Sequence, residues 1–465
     1  MIGRRSPDRS SFLVLAVLVA VLGGVHGLAY VPFAGHALGD TPSYVVPAHA
    51  LRHGSYTTPL PAVDVTGVRI PRAARGAPER QTYRPPGYPA LLALLGGADN
   101  GERGTSVDAV IGAQAFLCGA TALLLALLGR RLWGERTGLL VAGAYALDPF
   151  TKHYVTRILS EVLAGFLVVA AAYAFVRAWR ARSAAWWAAA GALTGALTLT
   201  RAVYSLAVLL LLAASLARSE ARIRTAAACL AGAAVLLVPW LAWNTAATGR
   251  VTMASFGEGW NLLLAAHGEG LHHTAVAVER SPSFRRDFFS VHRYAPSAAR
   301  LRSDPDAHPH YLAHADADQR QVAWRLYRHR LVHEPDEVAG EIAYRAYFLW
   351  MAHEDWVQPP GIRLLGLRAL DWAALVLAAL GGAGGFRSDG ATRSLALFLV
   401  LFTLVSATHH VEARYAMPVR SLYLAFAVLG ALSLRGRLSA APTPIASART
   451  RRRLLPFLPY PSARP

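Results

Sequence analysis

The sequence is poor in charge, in cysteine and above all in lysine. Of its 465 residues only 16% are charged, beside 54% that are hydrophobic. Ordinary soluble domains carry roughly 25% charged residues, so this balance excludes a water-soluble globular protein. Its two cysteines, Cys118 and Cys229, both lie within apolar runs, which excludes a disulfide framework and a cysteine metal centre. Lys152 is the only lysine, so the net charge of +19 rests on arginine. The arginines fall in short clusters between apolar runs, the pattern of cytoplasmic loops in a multi-pass membrane protein. A nucleic-acid partner is rejected on that ground.

Several apolar runs approach the ~20 residues that cross a bilayer. The first, Phe12 to Tyr30, follows Arg4-Arg5 and is read as an uncleaved span. Further spans are expected over Val107–Leu128, Thr137–Phe150, Ile158–Ala178, a run ending near Asn244, Leu364–Gly382, Leu395–Ala407 and Ala416–Leu434. Residues 184–217 are apolar apart from Arg201 and too long for one span, since ~34 helical residues reach ~51 Å. They are split at Arg201, giving ten spans. Charge tests the split. With the N-terminus inside, every short arginine cluster then lies inside; one long span would move the basic tail outside. The fold class expected is an all-α membrane protein with a transmembrane domain over 1–434. Two long polar stretches, 35–106 and 245–361, form an outer cap. The basic tail 435–465 is expected to be cytoplasmic, without fixed structure and anchored to lipid head groups. Within the stretches, Pro42–Tyr56 and Ala90–Leu95 read as interfacial helices and Thr57–Gln81 as loop. Gln319–Tyr347 reads as two helices broken at Glu334-Pro335, which would cover an acceptor.

This topology gathers Asp40, Arg84, Asp148, Lys152, His153, Glu161, Arg201, Glu412 and Arg414 at the outer rim. Asp40 or Thr41 before Pro42 is by itself a good helix start. Glu161 is expected about one turn inside the fourth span, where a carboxylate costs ~2.5–3.5 kcal/mol on insertion scales and needs a partner; Arg157 and Arg201 are the candidates. A membrane enzyme that takes a sugar from a lipid phosphate needs such groups: a carboxylate to accept the acceptor's proton and arginines to hold the departing phosphate.

In order along the chain stand Gly39-Asp40-Thr41-Pro42-Ser43-Tyr44, Tyr83-Arg84-Pro85-Pro86-Gly87-Tyr88-Pro89, Ser160-Glu161, Leu199-Thr200-Arg201 and Glu412-Ala413-Arg414-Tyr415-Ala416-Met417-Pro418. In that order the chain resembles the GT-C fold glycosyltransferases of the polyprenyl-phosphate-sugar-dependent family, which includes protein O-mannosyltransferases and the lipid A aminoarabinose transferase. It departs from them at Trp243-Asn244, where the family commonly has Arg-Asn. The resemblance implies a GT-C-like fold and an inverting transfer of a hexose or pentose from a polyprenyl-phosphate donor. The acceptor would be protein, lipid or cell-wall polymer at the outer face of the cytoplasmic membrane, with both termini cytoplasmic. It makes Asp40 the general base and Glu161 a second catalytic carboxylate. It puts Arg84, Tyr88, Arg201, Glu412, Arg414 and Tyr415 on the substrates. No cofactor is firmly implied. The histidines at 272, 273, 308, 310 and 314 have no spacing that fits a closed metal site, so no metal ligand is assigned. The rival readings are a transporter or flippase and a relative that binds lipid-linked sugar without turnover. A transporter would carry its ionisable residues near mid-membrane, with internal repeats.

Overall fold

The structure, a computed structural model, describes residues 9–31, 40–96, 105–181, 183–218, 222–270, 273–351 and 364–439. The expected tail lies almost wholly outside them. Helix α1 (Arg9–Leu28) leads to α2 (Pro42–Arg52), a short antiparallel ribbon of β1 (Thr57–Pro59) and β2 (Pro78–Arg80), and α3 (Gly87–Leu94). The bundle continues through α4 (Thr105–Trp133), α5 (Glu135–Leu147), α6 (Pro149–His153), α7 (Glu161–Ala181), α8 (Ala184–Thr200), α9 (Ser205–Arg218) and α10 (Arg222–Thr248). A helical cap follows: α11 (Glu258–Ala266), α12 (Ala275–Arg280), α13 (Pro282–Phe289), α14 (Ala298–Ser303), α15 (Ala307–His333) and α16 (Pro335–Phe348). The chain then re-enters the bundle with α17 (Leu364–Phe386), α18 (Gly390–Ala407) and α19 (Arg420–Ser439).

Among the described residues seven helices are long and apolar enough to cross a membrane, so this is a multi-pass membrane protein. With α5, α8 and α9, which are shorter at 13, 17 and 14 residues, the count is compatible with the ten spans expected. The split at Arg201 is present. Helix α8 ends at Thr200, Arg201 is extended at φ −146° and ψ 113°, and one 3₁₀ turn leads into α9.

Three expectations need correction. Helix α7 begins at Glu161 itself, so the carboxylate opens the helix instead of lying a turn inside it. There it meets the positive end of the helix dipole and stays out of the apolar interior. Helix α2 stops at Arg52 rather than Tyr56, because Tyr56 turns away to donate its hydroxyl to the Arg84 carbonyl at 2.8 Å. And 57–81 is more than loop, since its two ends pair as β1 and β2.

Bundle packing relies on small residues, as is usual where lipid tails are as apolar as side chains. Helices α8 and α10 meet backbone to backbone. A Cβ on Gly191 would lie 2.0 Å from the Cys229 carbonyl oxygen, and one on Gly232 would lie 2.1 Å from that of Ala188.

Candidate active site

The chain folds so that α1 and α8 end, and α7 and α19 begin, at the same end of the bundle, under the cap. The residues between them converge there. Neither Asp40 nor Thr41 caps α2 through its side chain, so the helix-start reading does not account for Asp40. The Thr41 hydroxyl goes to the Ile158 carbonyl at 3.3 Å. The Asp40 carboxylate is held by two arginines: Arg84 Nη2 lies 2.9 Å from its Oδ1 and Arg414 Nη1 2.9 Å from its Oδ2. Burial alone would raise the Asp40 pKa; the Arg84 and Arg414 guanidiniums outweigh it and hold the carboxyl below its ordinary value.

Arg84 is fixed on every side. Its Nε donates to Ser43 Oγ at 2.9 Å, and its guanidinium lies over the rings of Tyr44 and Tyr83 at 4.8 and 4.6 Å. The Pro-Pro-Gly that follows has a steric reason: a Cβ on Gly87 would sit 2.7 Å from the Leu199 carbonyl oxygen and from Thr200 Oγ1. Only glycine lets α3 start against the end of α8, which brings Arg84 and Arg201 to one place. Arg201 Nη1 pairs with Glu161 Oε1 at 2.8 Å and lies 3.4 Å from Ser160 Oγ, which contacts the Tyr44 hydroxyl at 3.3 Å. The second Glu161 oxygen is buried without a hydrogen-bond partner. Arg414 also pairs with Glu412, and both Arg201 and Arg414 lie 5.6 Å from the Tyr415 ring. Three arginines and three carboxylates thus form one cluster around Tyr44 and Tyr415. Side-chain exposure separates the acids: 32% for Asp40, 19% for Glu412 and 2% for Glu161.

Other rim residues go elsewhere. Tyr88 is fully buried, its hydroxyl committed to Gln114 at 3.1 Å and its ring packed edge-on to Tyr44; it supports the cluster from beneath. Asp148 joins a separate buried group in which Arg420 Nε donates to it at 3.0 Å while Arg420 Nη2 reaches Asp371 at 3.3 Å. Lys152 donates to Cys118 Sγ at 3.0 Å, and His153 lies 3.3 Å from Arg157. Trp243 and Asn244, where the family has Arg-Asn, bind the Gln81 and Thr252 carbonyls at 3.0 Å. Sequence reasoning passed over Asp371 and Arg420; ionisable residues inside apolar runs were the available signal. It also passed over Glu269, which has no such signal.

His308 is held between Asp64, 3.1 Å away, and Glu79, and His310 reaches the Thr248 carbonyl at 3.1 Å. Among the described residues no group of three or more His, Cys, Asp or Glu is arranged to hold a metal. Beneath Arg201, helices α7, α8, α9 and α18 leave an open apolar cleft lined by Val168, Phe175, Leu197, Leu211 and Phe398 among others.

A helical bundle with these ionic ends under a loop-built cap defines a class. The architecture matches that of the Archaeoglobus fulgidus oligosaccharyltransferase in its apo form with a TM-score of 0.54 at 13% identity, over 92% of this chain and 51% of that one. The same enzyme, AglB, in complex with an inhibitory peptide and a dolichol-phosphate gives 0.54 at 14%, over 93% and 51%. The chain therefore spans about half the length of these relatives. It has the GT-C glycosyltransferase fold that its motifs led us to expect. Within that class, residues 85–243 match the family of dolichyl-phosphate-mannose-protein mannosyltransferases. That stretch contains Glu161 and Arg201 but not Asp40, Arg84, Glu412 or Arg414. ArnT from Cupriavidus metallidurans bound to undecaprenyl phosphate is a looser likeness, at 15% identity and TM-score 0.37 over 93% of this chain and 79% of that one, and adds nothing to the assignment. No curated protein matches the sequence.

Proposed function

We propose that the protein transfers a sugar from a polyprenyl-phosphate donor to an acceptor hydroxyl at the outer face of the cytoplasmic membrane, with inversion at the anomeric carbon. The observation that carries this reading is the cluster itself. Three arginines meet at one end of the bundle, and the carboxylate two of them hold, Asp40, is the most exposed of the three acids. The donor's phosphate would take Arg84 and Arg414 as partners, and the apolar cleft beneath Arg201 suits its isoprenoid chain. As the phosphate draws those guanidiniums away, Asp40 is released to act as a base. The acceptor oxygen then attacks the anomeric carbon from the face opposite the phosphate while its proton passes to Asp40. The bond from that carbon to the phosphate oxygen breaks, and polyprenyl phosphate leaves as an anion stabilised by the arginines. It needs no general acid. Glu161 holds Arg201, and its unpartnered oxygen suits a hydroxyl of the donor sugar.

The test is full-length protein in detergent with a panel of labelled polyprenyl-phosphate sugars, wild type against Asp40→Asn. Release of polyprenyl phosphate by wild type and its loss in the variant is the expected result. Equal release by both removes Asp40 as base. Failure to bind any such lipid ends the enzyme reading, and binding without release leaves the non-catalytic relative.

A further inference from the structure

The cap grips the bundle at the junction between α18 and α19. The last carbonyls of α18, orphans of a helix end, are taken by cap side chains: Arg345 Nε donates to Ala407 O at 2.7 Å and the Tyr327 hydroxyl to Thr408 O at 2.9 Å. The backbone N–H of His410 donates to the Asn261 carbonyl of α11 at 2.9 Å. Arg345 also holds the backbone carbonyl of Glu269. The Glu269 side chain in turn lies 2.6 Å from His410 Nδ1, and His410 Nε2 lies 3.6 Å from Glu412 Oε1. The His410 ring also meets Trp260 and Tyr415 edge-on, at 5.4 and 6.2 Å. Glu412 pairs with Arg414, Arg414 with Asp40, and Asp40 with Arg84. With the ring protonated, charge alternates along six residues, from Glu269 in the cap to Arg84 beside α3. Glu269 and His410 are both 7% exposed, so solvent screens little of it.

We propose that Glu269 and His410 are positioning residues for Asp40, setting how firmly Arg414 holds it and so coupling the seating of the cap to the carboxylate. The consequence for catalysis rests on the function proposed above; the coupling itself does not. Its signs are fixed by charge. Without the His410 cation, Glu412 has one positive neighbour left and draws Arg414 away from Asp40. Without the Glu269 anion, His410 turns wholly to Glu412, and Arg414 is freed toward Asp40. A merely structural pair of residues would not give opposite signs.

The experiment reads the reactivity of Asp40 toward a water-soluble carbodiimide with glycine ethyl ester, by mass spectrometry of full-length protein in detergent at about pH 6, where an unperturbed or raised histidine is largely charged. Asp40 should label at least about threefold faster in His410→Gln than in wild type, and no faster than wild type in Glu269→Gln. Equal rates in all three proteins overturn the proposal. So does faster labelling in both variants, which marks a loosened cap instead of a charge linkage. Should His410→Gln fail to fold, Glu269→Gln alone decides: labelling as fast as wild type or faster overturns the coupling, and slower labelling upholds it. Sugar transfer is not read here, so a wild type without transferase activity refutes the function and leaves this result standing. Where transfer is present, His410→Gln should raise the donor KM by roughly tenfold, because Arg414, a proposed partner of the phosphate, is drawn toward Glu412.

Discussion

The proposed base, Asp40, has both of its oxygens taken. A carboxylate clamped by Arg84 and Arg414 is a weak proton acceptor, and its lowered pKa keeps it ionised well into acid. Two outcomes follow at this scale. The kcat/KM of the wild type should hold level from pH 7 down to 5, because the acid limb of the free protein lies below the ordinary carboxylate value of about 4. In Arg84→Gln one guanidinium is lost, the Asp40 pKa rises, and the acid limb of kcat/KM should move upward. The donor KM should rise by roughly tenfold as a charge-assisted phosphate contact disappears. A pH profile of the two proteins checks both, and an unmoved acid limb would disconnect Arg84 from the base. Asp40→Asn keeps the shape but accepts no proton, and should cost at least about 10²–10⁴ in kcat. The pairing of Asp40 with Arg84 was not legible in the sequence. The two are 44 residues apart, and the local pattern at Asp40 taken by itself reads first as a helix start.

At the scale of the element, the glycine of Pro85-Pro86-Gly87 decides where Arg84 goes. Gly87→Val forces a side chain into the 2.7 Å between α3 and the end of α8, so α3 must back away and carry Arg84 from Arg201. Overpacking of this kind costs about 1–3 kcal/mol, and transfer should fall by about tenfold or more, since misplacement by an ångström is enough. Thermal unfolding and kcat together test this, and a variant with wild-type kcat would show that the close approach is not needed. The element breaks themselves were readable, because each has a local cause. Arg201 interrupts an apolar run too long to be one span, Pro149 follows Asp148, and Pro335 separates α15 from α16. The start of α7 was misplaced by three residues because hydropathy runs on through Ile158 and Leu159, whereas the helix waits for a carboxylate that suits its N-terminus. The buried Asp148–Arg420–Asp371 group was illegible for another reason. It joins α6, α17 and α19 across more than 200 residues, and only packing brings them together.

Over the whole molecule, the two polar stretches were expected to form a cap. What sequence spacing does not reveal is that they interlock through a buried histidine. His308 on α15 sits between Asp64 and Glu79 of the first stretch, and Tyr311 and His292 both reach Thr66, at 2.9 and 2.8 Å. Burial opposes the charged ring, yet its hydrogen bonds to the two carboxylates outweigh that and raise its pKa to about 9. A histidine raised in the folded state binds its proton more tightly there than in the unfolded chain. The stability it lends is therefore complete below the ordinary value of about 6.5, declines above it, and is gone once pH has risen through about 9. The loss is on the order of 3 kcal/mol for a shift of this size. Between pH 6 and 10 the cap should thus become easier to open, seen as faster proteolysis within 249–351 and as a falling unfolding temperature. In His308→Asn, which keeps a hydrogen-bonding side chain but cannot take the charge, the fall should flatten and start from a lower plateau. If wild type and His308→Asn lose stability in parallel across that range, the ion group does not hold the two stretches together, and the cap must be seated by its apolar contacts alone.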